Sequence, residues 1–262
     1  GRRLLGKEST LLEITGLTHI YEGGVQALTD VNLRVADGEF LVVIGLSGSG
    51  KSTLMRCINR LVDPTRGKIV YSGLDITSAS PEELRRIRRH IGMVFQHFNL
   101  VRRSSVLTNV LSGRLGYVNP WASLVHRFPE EEIERAMRAL ERVGIAEKAY
   151  ARADELSGGQ QQRVGIARAL MQEPDMVLAD EPVSALDPAT SHSVLKYLEQ
   201  INREDGITVV CNLHFLDLAR RYGSRIVALR AGQLIFDGLP GEIDRRKFKD
   251  IYGEEAEEVG VT

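Results

Sequence analysis

The chain opens with segments in which apolar and polar positions alternate. Residues 11–17 and 27–35 follow this period of two, which predicts strands that bury one face. The Glu22-Gly-Gly sequence between them predicts the turn of an antiparallel pair. A second, terminal hairpin is predicted around residues 225–236.

Nearly continuous apolar runs predict a second class of strand. Residues 40–44, 176–179 and 207–213 have this composition, which is typical of parallel strands covered on both faces. Apolar side chains recur at helical spacing after the first of these runs, at Leu54, Met55, Ile58 and Leu61. Strands that alternate with helices predict an α/β protein with a largely parallel central sheet.

The middle of the chain has a different pattern. Between about residues 98 and 164 no run predicts a buried strand. Pro129 and the three glutamates after it predict the first turn of a helix. The apolar face of this helix consists of Ile133, Ala136, Met137, Leu140 and Val143. We expect a helical subdomain inserted into the α/β core.

The basic segment at residues 84–90 is predicted to be a further helix. Leu84, Ile87 and Ile91 would form its apolar side, so its arginines are interpreted as a solvated face. A nucleic-acid or anionic-lipid surface is the alternative. The whole chain has 34 Lys and Arg against 35 Asp and Glu, a net charge of −1, which argues against a broad nucleic-acid-binding face.

Composition adds three expectations. The 262 residues are 43% hydrophobic, enough for a large core. No apolar run reaches the roughly 20 residues of a membrane-spanning helix, and the start of the chain lacks a signal-peptide pattern. Cys57 and Cys211 lie in apolar or helical surroundings, so we expect reduced core thiols in a cytosolic protein.

The strongest chemical motif follows the apolar run at residues 40–44. Its spacing, Gly-x-x-x-x-Gly-Lys-Ser between a strand and a helix, predicts a loop whose backbone N–H groups surround phosphate oxygens. The binding residues are Gly45, Ser47, Gly48, Ser49, Gly50, Lys51, Ser52 and Thr53. Lys51 is expected to contact the β- and γ-phosphates, and Ser52 to bind Mg²⁺. The alternative is a glycine-rich turn without a ligand.

Two carboxylates follow the apolar run at residues 176–179. Asp180 at the end of a strand beside a phosphate loop suits Mg²⁺, bound directly or through water. Because adjacent residues of a strand project differently, Glu181 is predicted to address the attacking water instead. The alternative is a polar strand end.

A second candidate phosphate contact lies at Leu156-Ser-Gly-Gly-Gln160. Ser157 and Gln160 fit a capping box at the start of an ordinary helix. That explanation leaves Gly158 and Gly159 unexplained, because glycine in a first turn lowers helix stability. Glycines there would let another molecule approach the N–H groups closely, and spacing alone leaves both interpretations open.

Together these residues resemble the nucleotide-binding subunit of ATP-binding cassette (ABC) transporters. The matching elements occur in the order of that family and cover roughly residues 10–240. They are the phosphate loop, Gln96 in Val-Phe-Gln-His-Phe, the Leu-Ser-Gly-Gly-Gln segment, Leu178-Ala-Asp-Glu-Pro182, Ser184-Ala-Leu-Asp187 and His214.

The resemblance implies a fold and a set of roles. It implies a P-loop NTPase core with an antiparallel β-subdomain and an α-helical subdomain. Tyr21 would stack on the adenine of ATP, and Gln96 would sense Mg²⁺ and the attacking water. Glu181 would be the general base, and His214 would contact the γ-phosphate.

The resemblance also implies an ATP-bound dimer of two copies. Ser157, Gly158 and Gly159 would meet the γ-phosphate bound to the opposite copy, and Asp187 would communicate between the subunits. Membrane-spanning permeases on separate chains would be the partners, so we expect a peripheral protein at the cytoplasmic face of the plasma (inner) membrane.

The implied division of the chain has four parts. Residues 1–10 form an N-terminal extension, residues 11–97 and 165–240 the ATP-binding core with its β-subdomain, residues 98–164 the helical subdomain, and residues 241–262 a C-terminal helix and tail.

A narrower resemblance concerns cargo. Residues 98–103, 110–117 and 212–219 are similar to those of bacterial phosphonate importer ATPases, which act with a periplasmic or surface binding protein. The segment between residues 116 and 128, which contains Trp121, is similar to the longer helical subdomain of the same group. His97, Phe215 and the Ser184-Ala order depart from the family pattern.

There are three alternatives to phosphonate import. Related importers carry phosphite or phosphate. A soluble ATPase that assists a carbon–phosphorus lyase would share the same motifs. A non-enzymatic ATP-gated scaffold conflicts with the presence of Glu181 and His214.

Overall fold

The computed structural model describes residues 9–117 and 128–253. The strands within these ranges are β1 (Thr10–Ile20), β2 (Gln26–Ala36), β3 (Phe40–Ile44), β4 (Arg66–Tyr71), β5 (Leu74–Asp75), β6 (Ile91–Val94), β7 (Met176–Ala179), β8 (Thr208–Asn212), β9 (Arg225–Arg230) and β10 (Gln233–Gly238). The helices are α1 (Lys51–Ile58), α2 (Pro81–Arg89), α3 (Val106–Leu111), α4 (Glu130–Arg142), α5 (Gly158–Leu170), α6 (Pro188–Asp205), α7 (Leu216–Tyr222) and α8 (Arg245–Tyr252).

The central sheet brings the chemical motifs to one edge. Its strand order is β10-β9-β3-β8-β7-β6, and all neighbours pair in parallel except β9 and β10. The carboxyl ends of parallel strands lie at the same edge of a sheet, where α/β proteins bind their ligands. The phosphate loop follows β3, Asp180 follows β7, and Asn212 ends β8, so the three come from adjacent strands.

The second sheet is antiparallel, with the order β2-β1-β4-β5. Leu12, Ile14 and Leu17 on β1 are buried, as the alternating pattern predicts. Tyr21 and Val25 close the turn between β1 and β2 through a backbone hydrogen bond of 2.9 Å. The first predicted hairpin is therefore confirmed, and so is the hairpin of β9 and β10.

Two hydrophobic cores lie on opposite faces of the central sheet. Phe40, Val42 and Ile44 of β3 face the core shared with α3 to α7. Leu41 and Val43 face the other core, which α1 and the antiparallel sheet complete. This alternation explains why the β3 run is continuously apolar, as we predicted for a strand covered on both faces.

The predicted helix after Pro129 is confirmed as α4. It packs with α3 and α5, and Ala136 and Leu140 are fully buried. No named strand lies between residues 98 and 164 among the described residues of that range. The division of the chain into subdomains stays a prediction. The Trp121 segment, residues 1–8 and the acidic tail after residue 253 lie outside the described residues.

Two apolar assignments from the sequence are wrong. Ile91 does not belong to the helix of the basic segment, because α2 ends at Arg89 and Ile91 begins strand β6. Leu61 lies beyond α1 and has 49% of its surface exposed. Cys57 and Cys211 are free and buried, as expected. No helix in residues 9–117 and 128–253 has the length and apolar character needed to span a bilayer.

Candidate active site

The phosphate loop connects β3 to α1 and is held by contacts with the hairpin of β9 and β10 and with β2. The carbonyl oxygen of Ser49 accepts a hydrogen bond of 3.0 Å from the N–H of Gly232, in the turn between β9 and β10. Gly50 has a φ of 104°, and a Cβ there would lie 2.5 Å from the carbonyl oxygen of Ala27. Only glycine fits this position, where the start of α1 passes close to the backbone of β2.

Lys51 is the first residue of α1, and its side chain turns back into the loop. Its Nζ donates hydrogen bonds of 2.8 Å to the carbonyl oxygen of Gly45 and 3.0 Å to that of Leu46. Burial lowers the pKa of Lys51, and the nearby carboxylates of Glu181 and Asp180 oppose this effect. The ammonium group therefore lies inside the loop, hydrogen-bonded to its backbone.

Asp180 receives two hydrogen bonds on one oxygen. Ser52 donates from Oγ to Oδ1 of Asp180 at 2.7 Å, and Asn212 donates from Nδ2 to the same oxygen at 2.8 Å. The N–H of Asp180 also donates to the carbonyl oxygen of Val94 at the end of β6. Ser52 and Asp180, two of the three predicted metal residues, are therefore in direct contact, whereas no such contact places the third, Gln96, within the described residues.

Glu181 and His214 form the second pair at this edge of the sheet. Nε2 of His214 lies 2.6 Å from Oε1 of Glu181. We expected Glu181 and Asp180 to project differently because they are adjacent residues of one strand, and this reason is wrong. Strand β7 ends at Ala179, and Glu181 turns away from Asp180 through a left-handed backbone with φ of 50°. The hydroxyl of Tyr252 in α8 donates a hydrogen bond of 3.2 Å to the carbonyl oxygen of His214.

Tyr21 and Gln96 lie at the border of the site. The hydroxyl of Tyr21 lies 3.1 Å from Oγ1 of Thr53 in α1, and its ring meets the ring of His19 edge to face at 4.5 Å. These contacts place the aromatic side chain beside the phosphate loop. Gln96 is exposed in the segment that follows β6, the strand next to β7.

The start of α5 contains the predicted capping box. The N–H of Ser157 donates to Oε1 of Gln160 at 2.9 Å, and Oγ of Ser157 accepts from the N–H of Gln160 at 3.3 Å. Ser157 is exposed, Gly158 is half-buried and Gly159 is buried. No hydrogen bond within the described residues joins this turn to the phosphate loop of the same chain.

Gly159 has an explanation inside the chain that the sequence did not supply. A Cβ at this position would overlap the methyl group of Thr190 in the first turn of α6. At Gly158 the corresponding nearest atom, in the side chain of Leu186, lies 3.2 Å away. Gly159 is therefore required for close packing of α5 against α6, whatever else approaches this turn.

Asp187 lies on the same pair of helices. It is the N-cap of α6, and its Oδ1 accepts a hydrogen bond of 3.0 Å from the N–H of Thr190. This bonding to Thr190 lowers the pKa of Asp187. Thr190 therefore contacts Asp187 through its backbone and faces Gly159 through its side chain.

The sequence comparison decides the family. The family model described as ABC transporter matches residues 28–184, more than half of the chain. This chain belongs to the ABC transporter family.

Relatives of this ABC chain match it over nearly their whole length. The phosphonates import ATP-binding protein PhnC of Bdellovibrio bacteriovorus is 57% identical, over 95% of this chain and 96% of that protein. The phosphonates import ATP-binding protein PhnC 3 of Halalkalibacterium halodurans is 52% identical over the same shares.

Solved structures confirm the predicted fold of the ABC ATPase. The ATP-binding cassette MJ0796, solved as a dimer bound to ADP and Pi in a post-hydrolysis state, matches with a TM-score of 0.76 and 36% identity, over 87% of this chain and 98% of that chain. CbiO1 from Clostridium perfringens, part of the ABC transporter complex cbiONQ, has a TM-score of 0.80 and 30% identity, over 93% and 94%. The P-loop core with its mostly parallel sheet is therefore that of an ABC ATPase.

The ABC chain brings most of the predicted site together at one edge. The phosphate loop, Asp180, Glu181 and His214 meet there, whereas the turn at Ser157 packs with α6 instead. Sequence reasoning assigned no role to Asn212 or Tyr252. The polar Asn212 at the end of an apolar strand was a usable signal, but nothing in the pattern indicated that α8 would return to His214.

Proposed function

We propose that this chain is the ATP-hydrolysing subunit of a phosphonate importer. The proposal depends on one observation: the phosphate loop, the Asp180–Ser52 pair and the Glu181–His214 pair lie together at one edge of the central sheet. The two PhnC proteins, named for phosphonate import, support the transport role. They do not favour the alternative of a soluble accessory ATPase for a carbon–phosphorus lyase.

ATP fits the residues of this edge. Lys51 offers a buried ammonium group, and Ser49 has a buried Oγ without a hydrogen-bond partner in the described residues. Backbone N–H groups of the loop and of the start of α1 add the positive potential that phosphates require. Tyr21 would stack on adenine, and Thr53 would add a hydroxyl in the first turn of α1.

The oxygen ligands also fit Mg²⁺. Ser52 and Asp180 present a hydroxyl and a carboxylate within 2.7 Å of each other, the hard donor set that Mg²⁺ takes together with nucleotide phosphates. Gln96 would complete this side of the site from the segment after β6. Bound Mg²⁺ would neutralise charge on the phosphate oxygens during phosphoryl transfer.

Hydrolysis would depend on Glu181 as the general base. Its carboxylate would accept a proton from the attacking water, while the 2.6 Å contact with Nε2 of His214 fixes its direction. His214 would also contact the γ-phosphate. Lys51 would stabilise the charge that develops on the phosphate oxygens.

A second copy of the chain would complete each site. Residues at the start of a helix have N–H groups without partners inside the helix, and Ser157 is exposed beside them. We expect Ser157, Gly158 and Gly159 to meet the γ-phosphate of the opposite copy, with Asp187 near the same interface. ATP would then favour the closed dimer because the γ-phosphate contacts both chains, and hydrolysis would release it.

The remaining partners follow from the transport role. Integral-membrane permease subunits would receive the closing motion, which places this chain peripherally at the cytoplasmic face of the inner membrane. A periplasmic or surface binding protein would supply the cargo to those permeases.

Uptake by reconstituted vesicles tests this function. Permeases, binding protein and this chain are combined with ATP inside the vesicles, and uptake of phosphonate, phosphite and phosphate is compared. We expect ATP-dependent phosphonate uptake that Glu181→Gln abolishes. Uptake of phosphite or phosphate alone would reassign the cargo. Co-purification of this chain only with a soluble enzyme complex would contradict transport.

A further inference from the structure

Asn212 is a buried polar side chain that has no part in the proposed binding or hydrolysis of ATP. It is the last residue of β8, between Cys211 and the segment that leads to His214, and none of its surface is exposed. Its neighbours along the sheet edge are the ends of β3 and β7. The position lies among the groups that would bind MgATP.

Folding alone does not explain an asparagine at this position. Asparagine is unfavourable in strands, and an amide without full hydrogen bonding is costly to bury. Oδ1 of Asn212 has no hydrogen-bond partner within the described residues. Asn109 in α3 has the opposite pattern, because it is buried and its amide bonds to backbone groups of Val101 and Ser105 on both sides.

Among the described residues, the side-chain amide of Asn212 makes one hydrogen bond, and it goes to Asp180. Nδ2 donates to Oδ1 of Asp180 at 2.8 Å. The reverse amide orientation would point a carbonyl oxygen at a carboxylate oxygen, and both groups only accept hydrogen bonds. The amide is therefore oriented by Asp180, and it fixes one oxygen of that carboxylate in return.

Ser52 shares this oxygen but has a second role. It donates 2.7 Å to Oδ1 of Asp180, and it is also a proposed metal ligand. Asn212 has no such competing role, and its strand pairs with β3 and β7, so its amide is anchored on the rigid sheet. The orientation of Asp180 can therefore be kept by Asn212 when Ser52 binds a metal.

We propose that Asn212 is a positioning residue that orients the Asp180 carboxylate for Mg²⁺ in the nucleotide complex. The proposal rests on the proposed MgATP site and adds to it a buried amide behind the carboxylate ligand. Groups that hydrogen-bond a metal-binding carboxylate orient it and strengthen metal binding, and their loss lowers affinity about 10- to 100-fold.

The test separates metal binding from nucleotide binding. Calorimetry measures the affinity of the full chain for the ATP analogue AMP-PNP, once with excess Mg²⁺ and once with EDTA. The ratio of the two affinities gives the strengthening that the metal supplies. Asn212→Leu removes the amide at similar volume, and Asn109→Leu is the control at a buried asparagine whose amide bonds to Val101 and Ser105 instead of Asp180.

We expect Asn212→Leu to lower the Mg²⁺-dependent strengthening by about ten-fold or more, with affinity in EDTA within about two-fold of wild type. Asn109→Leu should leave the ratio unchanged while it lowers the unfolding temperature. If Asn212→Leu does not fold, Asn212→Val replaces it, since a β-branched side chain suits the strand.

Two results would overturn the proposal in distinguishable ways. An unchanged ratio in folded Asn212 variants would show that Asp180 needs no orientation by the amide, and the MgATP site would stand. If the affinity of the wild-type chain for AMP-PNP did not depend on Mg²⁺, the proposed metal site would be wrong, and the positioning role of Asn212 with it.

Discussion

Glu181 is held in an unfavourable backbone conformation. Its φ of 50° is left-handed, which costs a residue with a side chain of order 1–3 kcal/mol. The surrounding contacts maintain it, because the carbonyl oxygen of Glu181 accepts hydrogen bonds from the N–H and the Oγ of Ser184. The side chain is held at the other end by His214. This conformation turns the chain between Asp180 and Glu181.

At this residue scale, Glu181→Gln tests the base. The amide keeps the shape of the side chain but cannot accept a proton from water, so we expect ATP hydrolysis to fall by at least about 100-fold. The affinity for ATP should stay within a few-fold of wild type, and ATP should retain the variant as a dimer. Phosphate release and size-exclusion chromatography measure the two effects.

The matched control for this variant is Glu204→Gln. Glu204 is exposed near the end of α6, so its substitution should change neither hydrolysis nor oligomeric state. Unchanged turnover in Glu181→Gln would exclude Glu181 as the base.

At the scale of elements, α5 can pack closely on α6 because Gly159 has no side chain. Gly159 lies against the methyl group of Thr190, and Asp187 caps the helix that carries Thr190. The start of α5 and the start of α6 therefore lie against each other. Both contain residues that we propose to lie at the dimer interface.

Gly159→Ala is predicted to destabilise the fold by about 1–3 kcal/mol, because overpacking forces the two helices apart. Thr190→Ser in the same chain should recover most of this loss. It removes the overlapping methyl group and leaves the Thr190 Cβ position 3.6 Å away. Urea unfolding of the single and double variants measures the recovery.

Gly165→Ala is the control within α5. Apart from its own helix backbone, no heavy atom of the described residues lies within 4 Å of a Cβ added there, so alanine should be neutral or stabilising through its helix propensity. If Thr190→Ser does not improve the stability of Gly159→Ala, the packing explanation of Gly159 is wrong.

The sequence predicted those elements whose pattern depends only on their own residues. The apolar runs of β3, β7 and β8 are uninterrupted or nearly so, because both faces of the central sheet are covered. β6 was missed because Gly92 interrupts its short run and Ile91 continues the helical spacing of α2. Gly92 is explained only by packing, since a Cβ there would lie 3.2 Å from that of Ala169 in α5.

The candidate site shows the same division. Motif spacing indicated the loop, Asp180 and Glu181, because each follows a recognisable strand, and the family resemblance added His214. It did not identify the contact of Gly159 with Thr190 or the role of Asn212. Both depend on which elements become neighbours in three dimensions, and a local pattern does not contain that information.

At the scale of the whole molecule, one chain contains two different halves of the proposed site. The phosphate loop, Asp180 and Glu181 lie at the edge of the central sheet. The exposed Ser157 lies at the start of α5, beside α6, and makes its hydrogen bonds within its own helix turn. Two copies related by a two-fold axis would join the halves twice, because a two-fold interface repeats each contact. The dimeric MJ0796 cassette shows that a chain of this fold forms dimers.

Complementation between two defective chains tests this account most directly. Lys51→Ala removes the ammonium group of the phosphate loop, and Ser157→Arg places a bulky side chain at the turn offered to the partner. Each variant alone should be inactive. Their equal mixture should recover about a quarter of the wild-type ATPase rate, because half of randomly formed dimers are mixed and each has one intact site. An inactive mixture, with mixed dimers demonstrated in ATP, would contradict a site shared between two chains.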